Sequence, residues 1–533
     1  MEAAVAPLEA AAEKIARAAS AAKEAGVAAS AAATDAAGAA TAAALATAEQ
    51  AVVASSTTKE AAMAADAAAA EMRYSKKRKF HQIDDGGRGG GDRDDGGNLD
   101  LISALPDDVI GTIISFLPTK DGARTQDIAR RWLPLWRSAP LNLVVEFEAG
   151  SKNRKLIASV SKILSEHRGH ARRLSLQLFN LTDVPKRGWK HKIDGWLRSQ
   201  ALDSLQELTF TYCSGIDMPL SVFRFAPMLY SANFRHCDFP ESISTMSLNF
   251  LCLKKLTLFM VTITEDGLHS MLSGCTVLES LELRHIFGIG GLWISSQTLR
   301  SLGFSTPHQI NVVIFQLVIK DAPCLERLLP LNLYGAPATI RVIRAPKLEI
   351  LGVLSESISV QFGTTNFQKM IAVSLTTKIH TIKVLVLDSV GPNLDAVVDL
   401  LKCFPCLVRL YVISHPTKDM NNARMYNQLD PIECLELRLK KVVLMNYDGS
   451  KRPCVDFAKF FILNTKLLKE MEVQVLNKRN DEWMANQYRQ LRMESRVSRD
   501  ARIELKRSTE KSFVEVDTHD LSMADPFDIR SFY

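Results

Sequence analysis

The spacing of apolar positions changes character along this chain. Between residues 105 and 136, Leu105, Val109, Ile110, Ile113, Phe116 and Leu117 recur at helical spacing. Pro106 suits a first helical turn, and Asp107 and Asp108 sit at the positive end of the helix dipole. Pro118 predicts the stop. After a turn at Asp121-Gly122, Thr125 is expected to cap a second helix carrying Ile128 and Trp132 one turn apart. Pro134 should end or kink that helix, so the chain beyond it, not helical period, places Trp136. About forty residues with this much apolar surface make too small a core to stand alone. The stretch therefore reads as a docking surface that finishes its core with a partner.

From residue 170 to 430 the period is that of a repeat. The pattern Leu-x-x-Leu-x-Leu, with conservative swaps, starts at Ala171, Leu205, Leu229, Leu253, Leu278, Leu299, Leu325, Leu348, Ile382 and Leu407. The steps from Ala171 to Leu205 and from Leu348 to Ile382 are longer and imply insertions. Each repeat offers one short strand with its second and third apolar positions inward. Stacking them predicts a curved solenoid with parallel strands on its concave face. The third, fifth and seventh positions then face away from the core. They include Glu207, Asn233, Arg235, Lys255, Phe259, Glu282, Arg284, Arg327, Arg409 and Tyr411. Arginine forks bind carboxylate and phosphate, and aromatics anchor interfaces. Arg235, Lys255, Phe259, Arg284, Arg327, Arg409 and Tyr411 are thus candidates for holding an acidic or phosphorylated segment.

The flanks differ. Residues 1–98 are an alanine-rich head and a Gly/Asp linker, expected to be disordered or loosely helical. Within them Lys76, Lys77, Arg78 and Lys79 form a candidate nuclear import signal. Beyond Cys434, the pattern reads strand, turn, helix, strand, with Val455, Ala458, Lys459, Phe461 and Ile462 on one helix. A second helix should place Met484, Tyr488 and Leu491 on one face. Residues 517–533 form a tail.

Composition narrows the chemistry. Hydrophobic residues make up 47% of the 533 and charged residues 23%, as in a soluble protein. A net charge of +6 is modest at this length and does not argue for a nucleic-acid binder. The run from Lys478 to Lys511 is too balanced for a basic stripe. No secretory signal or membrane span is expected, because acids interrupt the alanine-rich head. Nine cysteines without regular short spacing suit a reducing compartment. Cys403 and Cys406 lack a second pair for zinc and read as packing. Cys213 and Cys237, each eight residues past a repeat start, read as buried ladder positions. Gly288-Ile289-Gly290-Gly291 reads as a loop, and His236 and His285 lie beside strands. Nucleophile motifs and phosphate loops are absent from the sequence, so catalysis and cofactors are not expected.

Residues 100–147 closely resemble the F-box. The likeness rests on the Leu-Pro start, the turn from Ser115 to Asp121, Arg124-Thr125, and the stretch from Arg130 to Trp136. Ala129 replaces the serine usual before the basic pair. Residues 434–516 resemble the FBD domain of plant proteins, through Leu439–Val442, Asp456–Phe460, Leu467–Met471 and Ser495–Leu505. The tail His519–Asp528 is similar to grass members of that family. The resemblance implies an α/β fold: a small helical F-box, a leucine-rich-repeat solenoid and an α+β FBD-like domain. It implies a non-catalytic, substrate-recognition subunit of a Skp–cullin–F-box ubiquitin ligase, in the nucleus or cytoplasm. Leu105, Pro106, Val109, Ile110, Ile113, Phe116, Leu117, Ile128 and Trp132 would contact the Skp-type adaptor, and through it a cullin. The repeats would hold a protein target. The alternative is an interaction scaffold acting outside a ligase complex.

Overall fold

The computed structural model describes residues 105–117, 119–147, 153–167, 169–178, 186–212, 217–306, 314–331, 337–368, 371–374, 378–391, 393–414, 431–476, 480–508 and 516–528. All of these lie in the second of two units, Leu101–Tyr533, the first being Met1–Asp100.

The helical module comprises α1 (Asp107–Phe116), α2 (Thr119–Arg124) and α3 (Trp132–Ser138). Helix α1 opens after Pro106, with Asp107 and Asp108 in its first turn, and ends two residues before Pro118. The expected second helix is different. Thr125–Asp127 form a short 3-10 turn, and Thr125 donates its hydroxyl to the Gly122 carbonyl rather than capping. Pro134 lies in the first turn of α3 instead of ending a helix. That placement is physically sound, since a first-turn N–H has no intrahelical acceptor. Ile128 and Trp132 therefore belong to different elements.

The rest of the unit is built on strands that run mostly parallel. They are β1 (Leu141–Glu146), β2 (Ala171–Gln177), β3 (Glu207–Thr211), β4 (Ser231–Arg235), β5 (Lys255–Thr262), β6 (Ser280–Phe287), β7 (Gly291–Ser295), β8 (Ser301–Ser305), β9 (Phe315–Asp321), β10 (Arg327–Pro330), β11 (Ala338–Val342), β12 (Ile350–Leu354), β13 (Ile358–Phe362), β14 (Thr365–Gln368), β15 (Ile371–Ser374), β16 (Val384–Gly391), β17 (Arg409–Ser414), β18 (Lys441–Tyr447), β19 (Glu470–Leu476) and β20 (Arg502–Ser508). Fourteen form one sheet in the order β1-β2-β3-β4-β5-β6-β8-β10-β12-β16-β17-β18-β19-β20. Arg173, Glu207, Ser231, Lys255, Ser280, Ser301, Arg327, Ile350, Val384, Arg409, Lys441, Glu470 and Arg502 stand in register across it. Each predicted repeat start lies two residues before its member of that row. The inward pairs, such as Leu208 with Phe210 and Leu256 with Leu258, are fully buried.

The layer opposite this sheet varies. Among the described residues it holds the α-helices α4 (Asn153–Glu166), α5 (Lys186–Leu197), α6 (Glu265–Ser273), α7 (Leu394–Cys403), α8 (Glu433–Leu437), α9 (Arg452–Asn464) and α10 (Asp481–Gln490), with 3-10 helices at Gln200–Leu202, Leu220–Phe225, Glu241–Thr245 and Met493–Ser495. In the middle repeats a second sheet, β15-β14-β13-β11-β9-β7, takes their place. Its Leu292, Ile294, Leu317, Ile319 and Ile340 share one core cluster with the first sheet. The two long steps hold α5 and the antiparallel β13-β14-β15 turnback.

The FBD-like segment is not a separate layer. Its strands β18, β19 and β20 carry the same parallel sheet onward. The repeat template recurs there as Leu439, Val442, Leu444 and as Leu468, Met471, Val473, all buried. On α9, Cys454, Val455, Phe457, Ala458, Phe460, Phe461 and Ile462 are buried. On α10 Met484 packs on the core and Leu491, just past its end, is buried, as expected, but Gln487 is buried in place of Tyr488, which is exposed. Gln487 accepts from the Tyr447 hydroxyl at 2.9 Å, so a polar pair replaces the expected apolar contact.

Candidate docking surfaces

Helix α1 is apolar on two faces. Ile110 and Ile114 turn inward and form a small core with Trp132 and Ala139, partly covered by Leu105, Ala129, Leu135 and Trp136. The adjoining stripe stays in solvent: Val109 is 42% exposed, Ile113 40% and Phe116 66%, with Ile128 at 60% nearby in sequence beyond the 3-10 turn. An apolar arc wider than the module can cover, with one stripe left in solvent, is the signature of a surface that needs a partner. Ile110 and Trp132, expected at the adaptor contact, belong instead to the module's own core. Four-residue spacing explains this for Ile110, which lies one turn from Ile114 on the inner face. Pro106 is exposed, while Leu105 and Leu117 are half-buried.

Several bonds fix this face. Arg131 donates to the Asp107 carboxylate at 2.6 Å and to the Leu105 carbonyl at 2.8 Å, tying the start of α1 to the entry of α3. Asn142 of β1 donates to the carbonyls of Ser115 and Leu117, and Thr119 donates to the Asn142 carbonyl. The Arg172 guanidinium lies 5.4 Å above the Phe116 ring. Trp136 packs against Gly122, where an added Cβ would stand 2.6 Å from the indole. Its ring also lies 5.3 Å from that of His167.

The concave face is not the open surface the repeat template predicts. Residues 516–528 lie across it. The Arg327 guanidinium is 3% exposed and donates to the backbone carbonyls of Asp520 at 2.7 Å, Leu521 at 3.2 Å and Met523. Arg409 donates to the Asp525 carboxylate at 2.9 Å, and the buried Tyr411 hydroxyl donates to the same oxygen at 2.7 Å. Burial, then the Asp525 charge, holds the Tyr411 phenol far above its ordinary range. Lys441 lies 2.9 Å from Asp528. Beneath these bonds a second apolar cluster gathers Leu329, Ile350, Val353, Val384, Val386, Tyr411, Ile413, Val443 and Met445 with Val516 and Phe527 of the tail. At Gly303 a Cβ would meet the Thr518 hydroxyl at 2.4 Å, so only glycine admits the tail there.

Three of the expected target-binding residues, Arg327, Arg409 and Tyr411, are therefore engaged by the chain's own tail. The physical reason is complementarity: Asp525 and Asp528 meet Arg409 and Lys441 of the basic row, and Phe527 fills the apolar floor. Elsewhere Arg235 is exposed, with its guanidinium 4.9 Å from the Phe259 ring. Arg284 lies 2.7 Å from Glu282. Lys255 is half-buried.

His519 seats the start of this tail. Ser280 Oγ donates to the Thr518 carbonyl at 2.9 Å, so it must accept from His519 Nδ1 at 2.7 Å. With the ring neutral, the form that burial favours, His519 Nε2 accepts from the Thr257 hydroxyl at 2.6 Å. Burial lowers its pKa, outweighing Glu282 and Asp517, which favour the proton, while Lys255 and Arg284 oppose it. A base whose folded pKa lies below its unfolded value stabilises neither state when both are neutral. Below pH about 6.5 the unfolded chain takes a proton that the folded chain refuses. Thermal melts of the full chain should therefore lose stability between pH 7.5 and 5.5. His519→Gln should flatten part of that slope, and an unchanged slope would refute this role.

The remaining candidates fall into place by burial. Cys403 is buried, donates to the Asp399 carbonyl, and burial pushes its pKa up to about 11. Cys237 is fully buried and bonds the Phe210 and Arg235 carbonyls, as a ladder position does. His236 has its pKa lowered to about 4 by burial and by Arg235, and its ring lies 5.4 Å from Phe259. His236, Met260 and His285 all adopt left-handed backbone angles of φ 52–53°, one residue past the aligned Arg235, Phe259 and Arg284. Nothing in the sequence pattern signals that ladder. Gly288 and Gly290 lie in the loop between β6 and β7. Cys213 and the run Lys76–Lys79 lie outside the described residues. Among the described residues no helix is long and apolar enough to cross a membrane.

The geometry agrees with what the chain is similar to. Residues 193–412 match the family model described as the LRR repeats of FBD-associated F-box protein At5g56370, and residues 427–473 match FBD. An F-box/FBD/LRR-repeat protein of Arabidopsis thaliana, At5g44980, is 30% identical over 241 residues, 43% of this chain and 54% of that protein. The Arabidopsis F-box protein At1g80960 is 29% identical over 203 residues, 35% of this chain and 40% of that protein. Other curated relatives are matched over 37% to 60% of their own length.

Proposed function

We propose that this protein, whose repeats and FBD region resemble those of plant F-box/LRR/FBD proteins, is a non-catalytic target-recognition subunit of a Skp–cullin–F-box ubiquitin ligase. The observation that carries the reading is the solvent-facing stripe of Val109, Ile113 and Phe116, with Ile128. A Skp-type adaptor would cover it, and the adaptor would bring the cullin. The solenoid supplies a long, rigid face and holds a protein target near the transferring enzyme, so the contribution is positioning. The similar proteins named as F-box proteins support the same reading.

A scaffold acting outside a ligase predicts something different in cells. Under the ligase reading, a variant with Val109→Asp and Ile113→Asp keeps its target but cannot deliver it. Proteins captured by that variant should then accumulate relative to those captured by the wild type, by several-fold in quantitative mass spectrometry. Equal abundance with the two forms would favour the scaffold.

A further inference from the structure

Residues 516–528 make no strand pairing with the sheet they cross. Their backbone carbonyls are read by one arginine, and their specificity resides in a few side chains. Seven strand-to-strand steps separate β5 from β18, about 34 Å at roughly 4.8 Å each. The tail crosses the strands in repeat order as a succession of short turns, with Leu521 N–H bonded to the His519 carbonyl and Asp528 N–H to the Asp525 carbonyl.

Two contacts select its chemistry. Asp525 is 4% exposed and receives both Arg409 and the Tyr411 hydroxyl. Phe527 is 1% exposed, with its ring 5.9 Å from that of Tyr411. The Asp525 carboxylate also accepts the Phe527 amide at 3.1 Å, so the turn through Pro526 presents acid and ring together. By contrast Arg327 takes three carbonyls, which any peptide backbone offers. An apolar floor lined by cations, filled by an acidic and aromatic segment, is a peptide site with its ligand in place.

We propose that the concave groove from β6 to β18 binds segments carrying a carboxylate and, two residues later across a turn, an aromatic ring, and that residues 516–528 occupy it in cis until a target segment of that chemistry replaces them. The proposal rests on the ligase-subunit function only in calling the incoming segment a target. Its test contains no adaptor, so failure of either claim leaves the other standing.

The probe is a fluorescent synthetic peptide of residues 516–528, titrated against the full chain by anisotropy. Wild-type protein should bind it weakly, because the tethered tail competes. A tether gives an effective concentration of about 1 mM, and against an intrinsic Kd of about 10 μM this weakens apparent binding on the order of 100-fold. The variant Asp525→Ala with Phe527→Ala, whose own tail is disabled, should recover that factor. A peptide with alanine at both positions should not bind it. Equal binding by wild type and variant, or binding of the alanine peptide, would overturn the proposal. A second measurement on the wild type alone covers a variant that does not fold. Amides of residues 516–528 should exchange with solvent faster than those of β16, β17 and β18. Exchange of both sets at one slow rate would make the tail a permanent part of the core and overturn the proposal.

Discussion

Under the proposed ligase role, replacing Ile113 and Phe116 together by aspartate should lower affinity for a purified Skp-type adaptor by at least about 100-fold while leaving the melting temperature within about a degree of wild type. Burying each side chain in an interface contributes roughly 1.5–3 kcal/mol. A carboxylate forced into the same apolar contact adds a desolvation penalty. Losing about 3 kcal/mol is already a factor of about 100 in Kd. Folding is spared because both positions face solvent on α1, and aspartate costs an exposed helix interior only about 0.7 kcal/mol or less. Calorimetric titration reads the affinity and scanning calorimetry the stability. Retained affinity with a folded variant would mean the stripe serves another purpose.

Trp132→Ala has the opposite profile. Trp132 is 3% exposed in a core whose other fully buried members are Ile110, Ile114 and Ala139. Removing a buried tryptophan costs about 3–5 kcal/mol. A cluster this small has no neighbouring layer to collapse into the space, so the cost should fall at the upper end. The module tied to β1 through Asn142 should open while the solenoid, with its own continuous core, stays folded. Limited proteolysis should cut within residues 105–138 of the variant and leave β2 onward intact. Adaptor binding would then be lost through unfolding, which separates Trp132 from the surface pair. Wild-type resistance to protease would show that the small core is not what holds the module.

The contrast between these two variants marks where sequence periodicity suffices. Apolar spacing identifies α1 and every repeat strand, because burial on one face imposes the period directly. It does not distinguish the two faces of α1. Ile110 and Ile113 are equally apolar, and only the position of Trp132 at the start of α3 decides which turns inward. Pro134 looks like a terminator in the sequence because a proline's effect depends on its place in the helix: in a first turn it costs nothing. The extension of the sheet through β18 and β19 is legible in Leu439, Val442, Leu444 and in Leu468, Met471, Val473. The family likeness draws a boundary there instead. The seating of the tail is the part least visible in the sequence. No periodicity announces a segment that folds back over more than 190 residues to reach Arg327. The available signal is charge: an acidic, phenylalanine-bearing end on a chain with a basic repeat face. Phe259, Arg235 and Arg284, at the other end of that face, remain where the repeat template puts them.

Binding of a ligase adaptor to the outer face of α1 is the claim on which the rest depends. Hydrogen–deuterium exchange of the full chain, with and without saturating Skp-type adaptor, tests it directly. The predicted result is protection confined to residues 105–128, with Ile113 and Phe116 at its centre and no change along the concave face. Protection confined to the repeats, or none at all under saturating adaptor, would contradict it.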